Sequence, residues 1–291
     1  MLNLDAILLG VVLPAVAAAA VLLAAWRPWR KAASPTGTIG AGALAIGLAY
    51  AAGYAGLVGW PPFPPVEASQ WIVYLQLAAV GLFLLERMTS RPPNWLRWGF
   101  RIGLVAVSLV LILRPMMTYS WSPGRTAGWV AGLGVLALAF WLELEWVLPG
   151  VEALSSWLVL TIVAVGCALC LAMSGSLLLG QLGGVLAAAA AGATVLAFLP
   201  GGRTIDRASV RVPAVILTCL LLSGYFYSEL PAISALLVIA APLAARSVPE
   251  ASLTGRHPLV VAVVRGAAVA VPIVVAVIIA FASSPPFDPY Y

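Results

Sequence analysis

The segment from Ala127 to Glu152, AGWVAGLGVLALAFWLELEWVLPGVE, decides the fold. It begins as an apolar stretch long enough to cross a bilayer as a helix, because about 20 apolar residues span the hydrocarbon core. Two carboxylates, Glu143 and Glu145, fall in its last turns, and Leu148-Pro149-Gly150 then reverses the chain. The turn lies near the middle of the 291 residues. We therefore predict one integral membrane domain, 1–291, that divides into halves 1–149 and 150–291.

The composition places the whole chain in a membrane. Hydrophobic residues make up 63% of the sequence, charged residues only 9%, and the mean hydropathy is +1.07. A soluble domain has about 25% charged residues, and with so few charges its surface could not be covered in water. No hydrophilic stretch is long enough to form a separate domain. Any chemistry must take place within or beside the bilayer.

Apolar runs bounded by charges, prolines or aromatic residues predict an all-α bundle of about ten membrane spans. Besides the central helix, the predicted spans are 4–26, 37–60, 71–86, 102–117, 153–174, 177–200, 212–230, 231–246 and 258–283. The second and seventh spans are rich in glycine and alanine, which favours positions at the centre of the bundle. Between the third and fourth spans, arginines alternate with Trp95, Trp98 and Phe100. This pattern predicts an interfacial segment in the headgroup region, and an anionic-ligand patch is the alternative.

The basic residues indicate the orientation. Twelve of the 15 Lys and Arg residues fall in loops on one side of the ten-span arrangement, Arg114 and Arg125 fall on the other side, and Arg265 lies within a span. The positive-inside rule makes the first side cytoplasmic and places both termini on the non-cytoplasmic side. The net charge of +5 is then a signal of topology. It indicates membrane lipid as a partner and argues against nucleic acid, since no soluble basic module exists.

The sequence lacks the residues that several kinds of chemistry within a membrane require. His257 is the only histidine and Lys31 the only lysine, and both are predicted in loops, so haem ligation and a retinal Schiff base within a span are not expected. The motif formed by Cys167 and Cys170 could suggest redox or metal chemistry. On an apolar helix with no other ligand nearby, packing is the favoured interpretation. The sequence predicts no enzyme activity, no cofactor, no metal and no disulfide.

Arg265 is the most costly residue to place in a membrane. It lies about two turns into the last span, roughly 10 Å from the helix end, where an unpaired guanidinium costs at least ~2.5 kcal/mol. Glu143 and Glu145 approach the same depth, but they point about 200° apart and cannot face one neighbour. We predict that Glu143 pairs with Arg265. The pair could line a transport pathway, or it could fix the last helix to the bundle.

Polar residues within other spans extend this hypothesis. Gln76 and Gln181, together with Ser108 and Thr161, could line the same cavity as the charges. Each of them could instead form a hydrogen bond between two helices.

The sequence favours a carrier or channel for a small solute or ion, with Glu143, Glu145 and Arg265 as gating or coupling charges. The alternative is a non-catalytic structural or assembly subunit of a larger membrane complex, docked through the proline-rich segments 60–65 and 285–291. A carrier requires a hydrated cavity that reaches Arg265, whereas in a structural subunit Arg265 would be packed without contact to water. The excess of arginine over lysine and the abundant alanine suggest a GC-rich bacterial genome and a plasma membrane location.

Overall fold

The structure is a computed structural model that describes residues 7–26, 40–88, 93–199, 205–249 and 255–284. Within these ranges the chain is all-helical and contains no strand. The helices are α1 (Leu8–Trp26), α2 (Ala41–Val58), α3 (Trp71–Met88), α4 (Asn94–Tyr119), α5 (Pro123–Val147), α6 (Ala153–Met173), α7 (Leu177–Ala197), α8 (Arg211–Tyr227), α9 (Ala232–Ser247) and α10 (Pro258–Ser283). Helix α9 is interrupted by a 3₁₀ turn, Ala241–Leu243, that contains Pro242.

Eight of these helices are long and apolar enough to cross a membrane. Each predicted span coincides with one helix, so the prediction of an all-helical fold is confirmed, and the eight long apolar helices are compatible with a membrane protein. Helices α8 and α9 are shorter than the roughly 20 residues that a span requires. The segment predicted at the interface is helical from Asn94 onward, and α4 carries Trp95, Trp98 and Arg101 directly into the fourth span.

The interior is built on close contacts between small residues. Of the eight long helices, α7 is the most buried, followed by α2 and α6, which agrees with the predicted central positions of the second and seventh spans. A Cβ atom at Gly183 of α7 would lie 2.8 Å from the Cα of Ala168 on α6. The two backbones therefore touch, as small residues allow in membrane bundles.

Hydrogen bonds between helix ends show which ends lie together. They define the two opposite ends of the bundle, which we call its rims. At the first, the backbone N–H of Gly40, just before α2, donates to Asp206 Oδ2 at 2.8 Å, just before α8. At the opposite rim, the Tyr227 hydroxyl donates to the carbonyl of Ile112 at 2.7 Å, and Tyr74 donates to that of Pro61 at 2.8 Å. We call the first the charged rim, because it carries the four charged side chains described below. The second, which carries Trp121, Trp129, Tyr225 and Phe226, is the aromatic rim.

The glycines of α7 provide a matched test of this packing. Substitution Gly183→Val should lower the free energy of unfolding by about 1–3 kcal/mol or more, because the added side chain meets the backbone of α6. A Cβ at Gly184 would meet no atom within 4 Å, so Gly184→Val should change stability by less than about 0.5 kcal/mol. Thermal unfolding of both variants in the same detergent compares them. Equal destabilisation would contradict the close α6–α7 contact.

Candidate functional site

Four helices each bring one charged side chain to the charged rim. Arg101 of α4 donates through Nη2 to both carboxylate oxygens of Glu145 on α5, at 3.0 and 2.6 Å. Arg211 at the start of α8 places Nη1 2.6 Å from Glu86 Oε2 on α3. These side chains are only 8 to 17% exposed. We call the four residues the charge cluster. It has no net charge, so it can exist in a low-dielectric interior that would not accept one of its members alone.

Aromatic residues fix the geometry of the first pair. The indole N–H of Trp141 donates to Glu145 Oε1 at 2.8 Å, four residues away on the same face of α5. The guanidinium of Arg101 lies 5.2 Å from the centroid of the Trp98 ring. Glu145 thus accepts charge-assisted and neutral hydrogen bonds from two helices. This arrangement holds its carboxylate in one orientation.

The two ion pairs lie side by side. A gap of about 10 Å³ is lined by residues of both pairs, Glu86, Arg101 and Arg211, and by the ring of Trp141. Glu86 Oε1 and the Nε atoms of the two arginines are buried around it without hydrogen-bond partners among the described residues. A space of this size is at the lower limit for one water molecule, and unpaired polar atoms are the usual partners of buried water. The charge cluster therefore contains two formed ion pairs and three buried polar atoms that form no hydrogen bond with a described residue.

The predicted pair between Glu143 and Arg265 is wrong. In the part of the chain that the structure describes, the ion pairs are Arg101–Glu145 and Arg211–Glu86. Helix α5 turns Glu145 toward α4, so Glu143, about 200° around the helix, faces the backbone near Leu243 in the break of α9. Helix α10 packs mainly on α6 and α9, which keeps Arg265 away from α5. Arg265 is buried at 7% exposure, and its Nε has no described partner.

The two predicted glutamines lie in different environments. Gln76 of α3 is fully buried, and neither its amide oxygen nor its amide nitrogen has a hydrogen-bond partner among the described residues. It lies against Gly47 of α2, where an added Cβ would be 3.2 Å from the amide oxygen. Gln181 is exposed near the start of α7. A role for Gln76 in an interior route is compatible with its position, and a role for Gln181 stays a prediction.

A second buried polar group accompanies Gln76. The hydroxyl of Tyr50, one helical turn beyond Gly47 on α2, is fully buried and also lacks a described partner. The hydroxyl of Ser223 on α8 is also buried and has no hydrogen-bond partner among the described residues. Sequence reasoning missed Tyr50, Glu86, Arg101 and Arg211 as candidates. The sequence did contain one indication: Glu86, Arg101 and Arg211 were predicted on the same side of the bundle as Glu145.

The described residues contain no group of three His, Cys, Asp or Glu side chains that could hold a metal ion. The three cysteines, Cys167, Cys170 and Cys219, are free and buried. Comparison of the chain with protein-family models finds no match, and neither does comparison with curated protein sequences. The charge cluster and the buried polar groups are therefore the features from which a function can be argued.

Paired substitutions measure the charge cluster. Glu145→Gln leaves the buried Arg101 without its counter-charge and should lower the free energy of unfolding by about 3–5 kcal/mol. Glu143→Gln is the matched control on the same helix, and it should have little effect because Glu143 has no ion pair with a described residue. A double-mutant cycle should show coupling between Arg101 and Glu145 and none between Glu143 and Arg265. The reverse pattern of coupling would show that the cluster is wrongly assigned.

Proposed function

We propose that this protein is a membrane carrier or channel for a small solute or ion, with the charge cluster as the gate at one end of an interior route. The observation that supports this proposal is the set of buried polar atoms without described partners on α2, α3 and α8. Glu86, Arg211, Gln76, Tyr50 and Ser223 all contribute to it. The route leads from the charged rim toward the middle of the bundle.

The energetic cost of these groups favours a functional role. A buried polar atom without a hydrogen bond costs about 1–3 kcal/mol, and native proteins keep few of them. Gln76 and Glu86 lie ten residues apart on α3, which is about 15 Å along the helix. Helix α3 packs against α2, α4 and α8, so both residues lie inside the bundle. A solute or water that passed from Glu86 to Gln76 would satisfy the unpaired groups in turn.

The charge cluster has the properties of a gate. Its two ion pairs join α3 to α8 and α4 to α5, so separating them would open the space between four helices. Breaking a buried pair costs about 3–5 kcal/mol unless another group replaces a partner. A substrate, an ion or water that interacts with the unused oxygen of Glu86 could offset this cost. The closed state would then be stable, and opening would depend on the transported species.

We further propose ten crossings, with the charged rim in the cytoplasm and both termini on the opposite side of a bacterial plasma membrane. Arg101 pairs with Glu145 and Arg211 pairs with Glu86 at the same rim, which supports the predicted alternation of the spans. The short α8 is compatible with a crossing, because it is buried almost throughout from Arg211 to Gly224. A helix surrounded by protein need not match the thickness of the lipid. We propose no catalytic role.

One observation favours the alternative function, a structural or assembly subunit that binds other membrane subunits. Arg265 is only 7% exposed, as a packing role without water requires. Trp60 and Phe63 are exposed at 57 and 77% in one predicted docking segment. The other predicted docking segment, 285–291, lies outside the described residues.

Cysteine accessibility separates the two functions. In a protein with Cys167, Cys170 and Cys219 replaced by alanine, a carrier should allow a membrane-impermeant thiol reagent to label Gln76→Cys slowly from the charged rim. Glu86→Gln should accelerate this labelling at least about tenfold, because a weakened gate opens more often and 1.36 kcal/mol corresponds to a factor of ten.

The control for this experiment is Ala189→Cys, equally buried but on α7, outside the proposed route. It should stay unlabelled with and without Glu86→Gln. Met88→Cys, 83% exposed at the charged rim, reports that the reagent is present. If Gln76→Cys resists labelling in both backgrounds while Met88→Cys reacts, the interior is closed and the subunit function gains support.

The proposed topology has its own test. Epitope tags at the two termini should both be detected on spheroplasts with an intact plasma membrane, whereas a tag inserted after Gly150, between α5 and α6, should be detected only after permeabilisation. Ten crossings return the chain to the side on which it began, which is the physical basis of this expectation. Detection of only one terminus on such spheroplasts would rule out an even number of crossings.

A further inference from the structure

An apolar cleft lies between α5, α8 and α9, near the aromatic rim. Its volume is about 290 Å³, and its walls are almost entirely hydrocarbon. Along α5 it extends from Trp129 past Leu133 to Phe140. The eleven rises between Trp129 and Phe140 correspond to about 17 Å along the helix axis. Leu236 of α9, another lining residue, is 49% exposed, so the cleft opens to the surroundings of the bundle.

The shape of the cleft favours a narrow occupant. A volume of about 290 Å³ distributed over about 17 Å makes the cleft long and narrow. One extended hydrocarbon chain is the kind of group that fits such a space. Because α5 is long and apolar enough to cross a membrane, lipid at the opening would supply such chains.

Charged and aromatic residues flank the outer end of the cleft. Arg125 lies one turn beyond Trp129, on the same face of α5 that lines the cleft, and it is exposed. Glu229 lies in the connection between Tyr225 and Ala232, two further lining residues, and is also exposed. Tyr225 and Trp129 are themselves in ring contact at 6.2 Å. Aromatic residues of this kind mark the headgroup level of a bilayer.

We propose that the cleft binds one acyl chain of a zwitterionic phospholipid from the surrounding bilayer. The chain lies between α5, α8 and α9, the phosphate lies at Arg125, and the headgroup ammonium lies at Glu229. One cation and one anion at the mouth complement a headgroup that carries both signs. A polar solute is disfavoured, because the cleft would remove its hydration and return few hydrogen bonds.

The proposed lipid site is independent of the proposed transport function. On α8, Leu222 and Tyr225 line the cleft, whereas the neighbouring Ser223 belongs to the buried polar groups of the interior. A lipid chain in the cleft fills the space between α8 and α9. The lipid chain would occupy the same position whether the protein is a carrier or a structural subunit.

Native mass spectrometry of the full chain tests the proposal. The protein is released from nanodiscs that contain equal amounts of phosphatidylethanolamine and phosphatidylglycerol with identical chains. Wild type should retain one phosphatidylethanolamine per chain in preference to phosphatidylglycerol. Ala235→Trp, which fills the cleft from α9, should reduce this retention at least about tenfold. Ala240→Trp, an exposed alanine on α9 that does not line the cleft, is the matched control and should retain the lipid.

Charge variants at the mouth keep the test valid if Ala235→Trp does not fold. Arg125 and Glu229 are exposed, so Arg125→Gln and Glu229→Gln should leave the fold intact and each lower the preference for phosphatidylethanolamine several-fold. Retention of both lipids equally by wild type would overturn the assignment of the headgroup. Absence of any lipid retained by wild type, or equal retention by Ala235→Trp and Ala240→Trp, would overturn the site itself.

Discussion

Buried charge at one rim is the constraint on which the rest of the structure depends. Arg101 and Glu145, with Arg211 and Glu86, are largely removed from water, and in a low-dielectric interior a charge left without its partner is strongly destabilising. This requirement brings α3, α4, α5 and α8 together at one end. Gln76 of α3, whose amide has no partner among the described residues, lies against Gly47 of α2 in the same bundle. The charge cluster therefore holds these four helices together, and in the proposed function it is the gate.

The sequence was sufficient to predict the helices. Apolar runs report spans directly, because lipid accepts few polar groups and the backbone must form helices to satisfy its own hydrogen bonds. The central positions of α2 and α7 followed from their small residues. These properties depend on one segment at a time. Each could be evaluated without knowing which helices are neighbours.

The partners of the charges could not be obtained in this way. Glu143 and Glu145 lie at similar depth, and the choice between them depends on how α5 is rotated against α4. Arg101 was expected in an interfacial segment, whereas α4 begins at Asn94 and carries it into the bundle. Arg265 was expected beside α5, but α10 packs mainly on α6 and α9. The rotation of a helix and the identity of its neighbours are set by packing in the bundle. The composition of a segment and the depth of a residue do not determine them.

Helices α5 and α8 connect the two sites. Each contributes one residue to the charge cluster at one end and at least one aromatic residue to the apolar cleft at the other. Double electron–electron resonance between spin labels at Met88 and Leu142, both exposed near the charged rim, tests most directly whether the cluster is a gate. A gate predicts two distances, with the longer one more populated after Glu145→Gln. A single distance, unchanged by this substitution in a folded protein, would show that the cluster is only a fastening.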